Sequence, residues 1–82
     1  MKNILVEFDM QLGEQEHIAY YLFNKPKSEY QYCKHYWGLK KKNELKKDVF
    51  WDNSVENTIK VHSIQKITNE QSKTLKELGI VY

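Results

Sequence analysis

The sequence predicts an α+β fold, in which a bent antiparallel sheet of about five strands carries one C-terminal helix. Three observations support this prediction. Apolar and polar residues alternate near the N-terminus, β-branched and aromatic residues flank a turn within residues 48–67, and a helix-capping pattern follows in residues 68–80. Because 82 residues can bury only one small core, residues 1–82 are expected to form a single domain.

The first two strands are predicted at residues 3–10 and 17–24. In residues 3–10 apolar side chains alternate with polar ones, which is the period of a strand with one face on the core. Gly13 suits the turn between the strands because glycine tolerates a positive φ. Residues 17–24 also fit a helix, but their aromatic content favours a strand, and Pro26 ends the segment in either case.

Residues 28–37, with the sequence SEYQYCKHYW, are predicted as a third strand. One face of this strand would carry Tyr30, Tyr32, Lys34 and Tyr36. Neither face is plainly apolar, so we expect at least one of them to meet water. The following residues, 38–47, are expected to form a lysine-rich connection that contains at most one helical turn.

Residues 48–67 are predicted as a β-hairpin around which the rest of the chain folds. The two arms are rich in β-branched and aromatic residues, and they flank the segment 52–57, whose polar side chains favour a turn. In the second arm, Ile64 breaks the alternation that Ile59 begins. We therefore expect a β-bulge near His62 that re-aims the chain and bends the sheet.

A helix near residues 69–78 is predicted from its two ends. Thr68 and Gln71 have the spacing of a capping box, and Gly79 suits the left-handed residue that follows the last turn. The apolar stripe of this helix consists of Leu75 and Leu78. A helix of about three turns does not persist alone, so it is expected to dock on the sheet.

The basic residues argue against one class of function, and the charges are distributed unevenly along the chain. All thirteen basic residues are lysines, which argues against sequence-specific DNA recognition because that recognition relies on the bidentate guanidinium group. The joint abundance of Lys, Asn and Ile indicates AT-rich coding, as in a low-GC bacterium or its phages. Residues 25–47 carry eight lysines and two acidic residues, whereas residues 1–24 carry one lysine and four acidic residues.

The cellular location is inferred from the cysteine content and the N-terminus. Cys33 is the single cysteine, so it cannot form an internal disulfide and it fits a reducing compartment. The N-terminal apolar run is too short for a signal peptide, and no segment is long enough to cross a bilayer. We expect a cytoplasmic protein, in the host cytoplasm if a phage encodes it, without a membrane partner and either monomeric or homodimeric.

The middle of the chain is a candidate binding site because aromatic residues and lysines interleave there. The candidate residues are Tyr30, Tyr32, Lys34, Tyr36, Trp37, Lys40, Lys41, Lys42, Lys46 and Lys47. Rings that stack and lysines that meet phosphates are typical of nucleic-acid backbone binding, and Tyr and Trp are also typical of protein interfaces. The alternative is an aromatic set that faces the core beside a lysine loop that keeps the protein soluble.

Catalytic and metal sites have little support. Cys33 and His35, with His17 and His62, lack the paired short spacings of a structural zinc site, so no metal and no cofactor are expected. We expect no enzyme. The one enzymatic alternative is a toxin-type endoribonuclease, in which replacement of His35 or His62 would abolish RNA cleavage.

Part of the chain resembles small SH3-like β-barrel proteins. The resemblance rests on Tyr32, on Lys47-Asp48-Val49 where that family has a Gly-Asp-x-Val turn, and on the V-x-x-I step of residues 61–64. It implies that the bent sheet closes as a small SH3-like barrel. In its length, its lysine content and its lack of catalytic signatures, the chain also resembles phage and mobile-element accessory proteins, including anti-CRISPR proteins.

These observations lead to a functional hypothesis. We expect a small non-enzymatic protein that binds a host protein or nucleoprotein complex, such as a defence complex, and inhibits it in the anti-CRISPR manner by covering a surface. The first alternative is a nucleic-acid-binding module that uses the same basic-aromatic residues directly, and the toxin-type endoribonuclease is the second.

Overall fold

The computed structural model describes residues 3–80 and contains one antiparallel sheet with a helix on each face. The elements in chain order are β1 (Ile4–Leu12), β2 (Gln15–Phe23), α1 (Glu29–Trp37), β3 (Asn43–Lys46), β4 (Val49–Trp51), β5 (Asn57–Lys66) and α2 (Asn69–Glu77). The strand order across the described sheet is β2-β1-β5-β4-β3. The predicted α+β fold, with a five-stranded antiparallel sheet and a C-terminal helix, is therefore confirmed.

The β1–β2 hairpin follows from alternation in the sequence and from one glycine. The two strands pair in continuous register from Ile4 opposite Phe23 to Leu12 opposite Gln15. The two-residue loop between them begins with Gly13 at φ 63°, as a type II′ turn requires at its first central position. The strand alternative for residues 17–24 is thus confirmed over the helix alternative.

The main core lies between the sheet and α1. Val6 and Phe8 of β1, Phe50 of β4 and Ile59 of β5 are buried on one side of the sheet, which we call the α1 face. The same β1 strand turns Leu5, Glu7 and Asp9 to the other side, because successive side chains of a strand point in opposite directions.

The strand predicted at residues 28–37 is wrong, since this segment forms α1. The Ser28 hydroxyl accepts a hydrogen bond from the Gln31 N–H at 3.2 Å, and Gly38 ends the helix in the left-handed conformation at φ 70°. A strand period spreads the aromatic residues over two faces, whereas a helix period brings residues 32, 33, 36 and 37 to one face on the core. Burial of that stripe favours the helix.

The connection predicted at residues 38–47 contains a short strand instead of a helical turn. β3 pairs with β4, with Asn43 opposite Trp51 and Lys46 opposite Val49, and a bulge separates these pairs. β3 and β2 lie at opposite edges of the described sheet, so the SH3-like barrel is not confirmed.

The hairpin predicted at residues 48–67 and its bulge are confirmed by β4 and β5. Phe50 lies opposite Ile59. On the other side of β5, Glu7 pairs with Ser63 and the next residue, Phe8, pairs with Val61. His62 is therefore the extra residue, and the bulge lies where the loss of alternation placed it.

The C-terminal helix is confirmed together with its capping box. The Thr68 hydroxyl accepts from the Gln71 N–H at 3.1 Å, and the Gln71 side chain accepts from the Thr68 N–H at 2.9 Å. Leu75 packs beside the buried residues Leu22 and Ile67 on the side of the sheet opposite the α1 face, which we call the α2 face. Leu78, in contrast, is 67% exposed and stays outside this contact.

Neither of the two described helices is long and apolar enough to cross a membrane.

Candidate basic-aromatic interface

Helix α1 places most of the predicted aromatic contact residues in the core. Tyr32 is only 1% exposed, and its hydroxyl accepts a hydrogen bond from the Lys27 N–H at 3.1 Å. Tyr36 stacks on Phe8 with ring centroids 4.7 Å apart. Tyr32 is therefore inaccessible to a partner in this fold, because the predicted strand is a helix that turns this ring to the core.

Trp37 also faces the core. Its indole Nε1 donates to the Met10 sulfur at 3.1 Å, and its ring packs against the main core while remaining partly exposed. Trp37 thus contributes mainly to packing, as does Tyr36. For these rings the structure favours the core-facing alternative that the sequence left open.

Tyr30 remains at the rim of the core, where lysines surround it. One side of its ring packs on Phe50 at a centroid distance of 5.2 Å. The Lys42 Nζ lies 5.6 Å from the ring centroid, within the range of a cation–π contact. Tyr30 and the exposed Lys34 also line a surface depression of about 530 Å³. Tyr30 is therefore a ring that a partner can reach.

Trp51 is the site residue that sequence reasoning missed. With Lys40, Lys41 and Asn43 it lines a surface cavity of about 350 Å³ next to the end of β3. Its alternation with the buried Phe50 on β4 turns its half-buried ring away from the α1 face. The prediction of a strand at residues 49–51 implies that neighbouring side chains point to opposite faces. This alternation could have identified Trp51 as a site residue.

The exposed lysines of residues 40–42 connect these two rings. Lys42 lies at Tyr30, whereas Lys40 and Lys41 lie at Trp51. With Lys34, which lines the depression at Tyr30, four lysines thus adjoin two accessible rings. We call this patch the basic-aromatic surface, and it consists of Tyr30, Lys34, Lys40, Lys41, Lys42 and Trp51.

Lys46 and Lys47 do not join this surface, although they belong to the same basic stretch of sequence. They lie at the β3–β4 turn, and the length of β3 separates that turn from Trp51 by roughly 10 Å. Lys46 lines a different groove of about 320 Å³, together with Asp9 and Glu16. The fold therefore divides the basic block between two places.

The β3–β4 turn has an electrostatic contact of its own with the start of α1. Partial burial and a side-chain hydrogen bond with Asp48 raise the pKa of Glu29, while the nearby Lys47 opposes this effect. Lys47 therefore lies near the Glu29 carboxyl group of its own chain, and this local partner competes with any external anion.

Cys33 is unsuited to nucleophilic chemistry. Its side chain is fully buried under the sheet. Burial, together with the carboxylates of Glu29 and Asp48, raises the pKa of its thiol to about 12. Because the thiolate is the reactive form, a thiol held protonated in the core does not act as a nucleophile.

The histidines do not meet in one place. His35 lies on α1, where its ring is 5.5 Å from that of Tyr21. His62 lies on the α2 face, with its ring nitrogens 3.8 Å from a Glu7 carboxylate oxygen and 3.7 Å from an Asp9 one. These two residues lie on opposite sides of the sheet and cannot share an acid–base site. Within residues 3–80, no three His, Cys, Asp or Glu side chains are grouped so as to hold a metal ion.

The site is therefore a surface of lysines and accessible rings around the β3 edge of an α+β sheet, with Tyr30 towards the α1 face and Trp51 turned away from it. No protein-family model, no curated protein and no solved structure matches the chain.

Proposed function

We propose that this protein is a small non-enzymatic binding protein that inhibits a host nucleoprotein complex, such as a CRISPR defence complex, by covering one of its surfaces. In this proposal it acts in the cytoplasm of the host cell, and the basic-aromatic surface makes the contact. The observation that carries the proposal is that Lys42 lies at the ring of Tyr30, while the neighbouring Lys40 and Lys41 line the cavity of Trp51.

The chemistry of this surface suits a partner that contains both protein and nucleic acid. Lysine ammonium groups neutralise phosphates without reading base sequence. Tyr and Trp rings supply contact area at low entropic cost and dominate the energetics of many protein interfaces. A nucleoprotein offers phosphates and a protein surface side by side, and a compact domain that bridges them blocks access to both.

The fold holds both rings of the surface in place. Tyr30 is held against Phe50, which is itself buried, and Trp51 is held in the β3–β4–β5 ladder. Such rings lose little freedom on binding, so less of the interaction energy is lost to ordering. Lys40 and Lys41, in contrast, lie in the connection before β3 and can adapt to the positions of phosphates, whereas the Lys42 Nζ already lies 3.9 Å from a Glu44 carboxylate oxygen.

The test uses purified guide-RNA-loaded CRISPR effector complexes from low-GC bacteria, with cleavage of a labelled target duplex as the readout. We expect the wild-type protein to slow cleavage by at least one effector in a concentration-dependent manner. The triple variant Lys40→Glu/Lys41→Glu/Lys42→Glu and the single variant Trp51→Ala should both lose this inhibition while they keep the far-ultraviolet circular dichroism of the wild type.

A matched control makes the same change of charge elsewhere. Lys66, Lys73 and Lys76 are exposed and lie outside the basic-aromatic surface. Replacing all three with glutamate should leave inhibition within roughly twofold of the wild type, because rim charges far from an interface act mainly through screened steering. Equal inhibition by both triple variants would show that the contact lies elsewhere, and no inhibition of any effector would refute the proposed class of partner.

Direct binding of nucleic acid is the second candidate, favoured by the cavity at Trp51. A base that stacks on Trp51 would place neighbouring phosphates near Lys40 and Lys41. If three lysines each neutralise one phosphate, affinity for a single strand should fall roughly 20-fold between 50 and 200 mM salt. Fluorescence anisotropy with labelled single-stranded DNA and RNA measures this dependence. A shallow dependence, or no binding at low salt, leaves the protein-containing complex as the partner.

A further inference from the structure

The two edges of the sheet are protected to very different degrees. The β3 edge is a four-residue strand that carries Glu44 and Lys46 and follows three lysines. Short and charged edges of this kind resist pairing with another chain. The β2 edge is nine residues long, contains neither lysine nor proline, and has Glu16 as its only carboxylate. Within residues 3–80, no strand pairs with the side of β2 that points away from β1.

The hydrogen-bonding groups on the outer side of β2 follow from the hairpin. In a two-residue hairpin, the flanking residues Leu12 and Gln15 exchange hydrogen bonds, and the bonded pairs then alternate along the strands. The odd-numbered residues of β2 therefore bond to β1. The backbone N–H and C=O groups of the even-numbered residues, from Glu16 to Leu22, point outward.

The side chains of these even-numbered residues include the most exposed aliphatic residue of the hairpin. Ile18 is 60% exposed on the α2 face, and Tyr20 is two residues away on the same side. An exposed β-branched residue beside an aromatic one, on an unpaired strand edge, is the surface that a further strand covers favourably.

We propose that β2 pairs with β2 of a second copy of this chain, antiparallel and about a two-fold axis at Ala19. This register uses the whole strand, because Ala19 is the middle residue of Gln15–Phe23. The two sheets become one continuous sheet, and the outward backbone groups of both strands are satisfied.

The side chains are self-complementary in this register. Ile18 of each copy lies opposite Tyr20 of the other, so the favourable aliphatic–aromatic pair occurs twice. Glu16 lies opposite Leu22, and the two Glu16 carboxylates are separated by roughly 20 Å along the strands. No like charges are opposed. Because a single pair of strands buries less surface than a standard interface, we expect micromolar affinity.

The dimer would present two basic-aromatic surfaces from one sheet. In each copy, β4 is separated from β2 by β5 and β1. The surfaces would therefore lie towards the two outer ends of a ten-stranded sheet. A partner with two sites, or a nucleoprotein of sufficient length, would be bound more tightly by avidity than by either surface alone. Self-association does not depend on the identity of that partner.

Disulfide trapping with the full chain tests the register. In Ala19→Cys the two new thiols lie opposite each other at a pair without backbone bonds, where the Cα separation is roughly 4.5 Å and suits a disulfide. Mild oxidation should give a covalent dimer in high yield. Gln15→Cys is the matched control, because its two copies would be roughly 27 Å apart, and the native Cys33 is buried and should not react.

Sedimentation equilibrium over a concentration series tests the association without a cross-link. We expect the wild type to pass from monomer to dimer, and Ile18→Lys to weaken the dimer roughly tenfold because both Ile18–Tyr20 pairs are lost. A wild type that stays monomeric up to roughly millimolar concentration would overturn the proposal and leave the edge to a strand of another protein. Equal cross-linking at positions 15 and 19 would overturn the register.

Discussion

Replacement of Tyr32 with alanine distinguishes a helix packed on the sheet from a strand with a wet face. The ring is 1% exposed and lies 4.6 Å from that of Phe23, measured between centroids. Removal of a buried aromatic side chain costs about 3–5 kcal/mol. The free energy of unfolding expected for 82 residues is about 4–12 kcal/mol, so Tyr32→Ala should remove a large part of the stability or unfold the protein.

Two further variants resolve this effect into its parts. Tyr32→Phe keeps the ring but removes the acceptor of the Lys27 N–H, so it should cost about 1 kcal/mol. Lys34→Ala, on the exposed side of the same helix, should change the stability by less than about 0.5 kcal/mol. Urea unfolding followed by circular dichroism and tryptophan fluorescence measures all three. A cost for Tyr32→Ala close to that of Lys34→Ala would refute the helix and its burial.

Two more predictions concern the surroundings of α1. The Cys33 thiol should react with a disulfide reagent only after unfolding, and the free energy of unfolding should decrease as pH rises from 9 towards 12. The unfolded thiol ionises near its ordinary pKa of 9.0, whereas the folded thiol stays protonated until about 12, so the loss should reach about 2 kcal/mol at about pH 10.5. Cys33→Ala should lack this additional decrease, and a parallel decrease in both proteins would contradict the burial of the thiol. Gly38→Ala should cost about 1 kcal/mol in urea unfolding because φ is 70° there, although no atom lies within 4 Å of the added Cβ; an unchanged stability would show that the helix ends in another conformation.

Local rules were sufficient for the elements whose signals lie within a few residues. The alternation in β1, the glycine turn at Gly13, the capping box at Thr68 and the bulge at His62 each depend on neighbours in the chain. The sequence therefore determined the α+β class, the C-terminal helix and the hairpin of β4 and β5. The sequence also showed which stretch of the chain supplies the lysines of the candidate site, because charge can be read directly from the residue types.

Tertiary structure decided what the aromatic residues do. Residues 28–38 contain capping signals at Ser28 and Gly38, but their ring content favours a strand when the segment is considered alone. Only the apolar face of the sheet makes the helix favourable, because helical spacing lets Tyr32 and Tyr36 cover that face together. The same burial removes those rings from the site and leaves Tyr30 at its rim.

The candidate site itself depends on pairing between distant segments. Trp51 joins Lys40 and Lys41 because β3 folds back on β4, and no short-range pattern in the sequence encodes that contact. Lys46 is only four residues beyond Lys42, but it lies at the far end of β3 and lines another groove. The composition determined that the protein contains lysines and aromatic rings. Strand pairing and core burial decided which of these residues lie together at the surface.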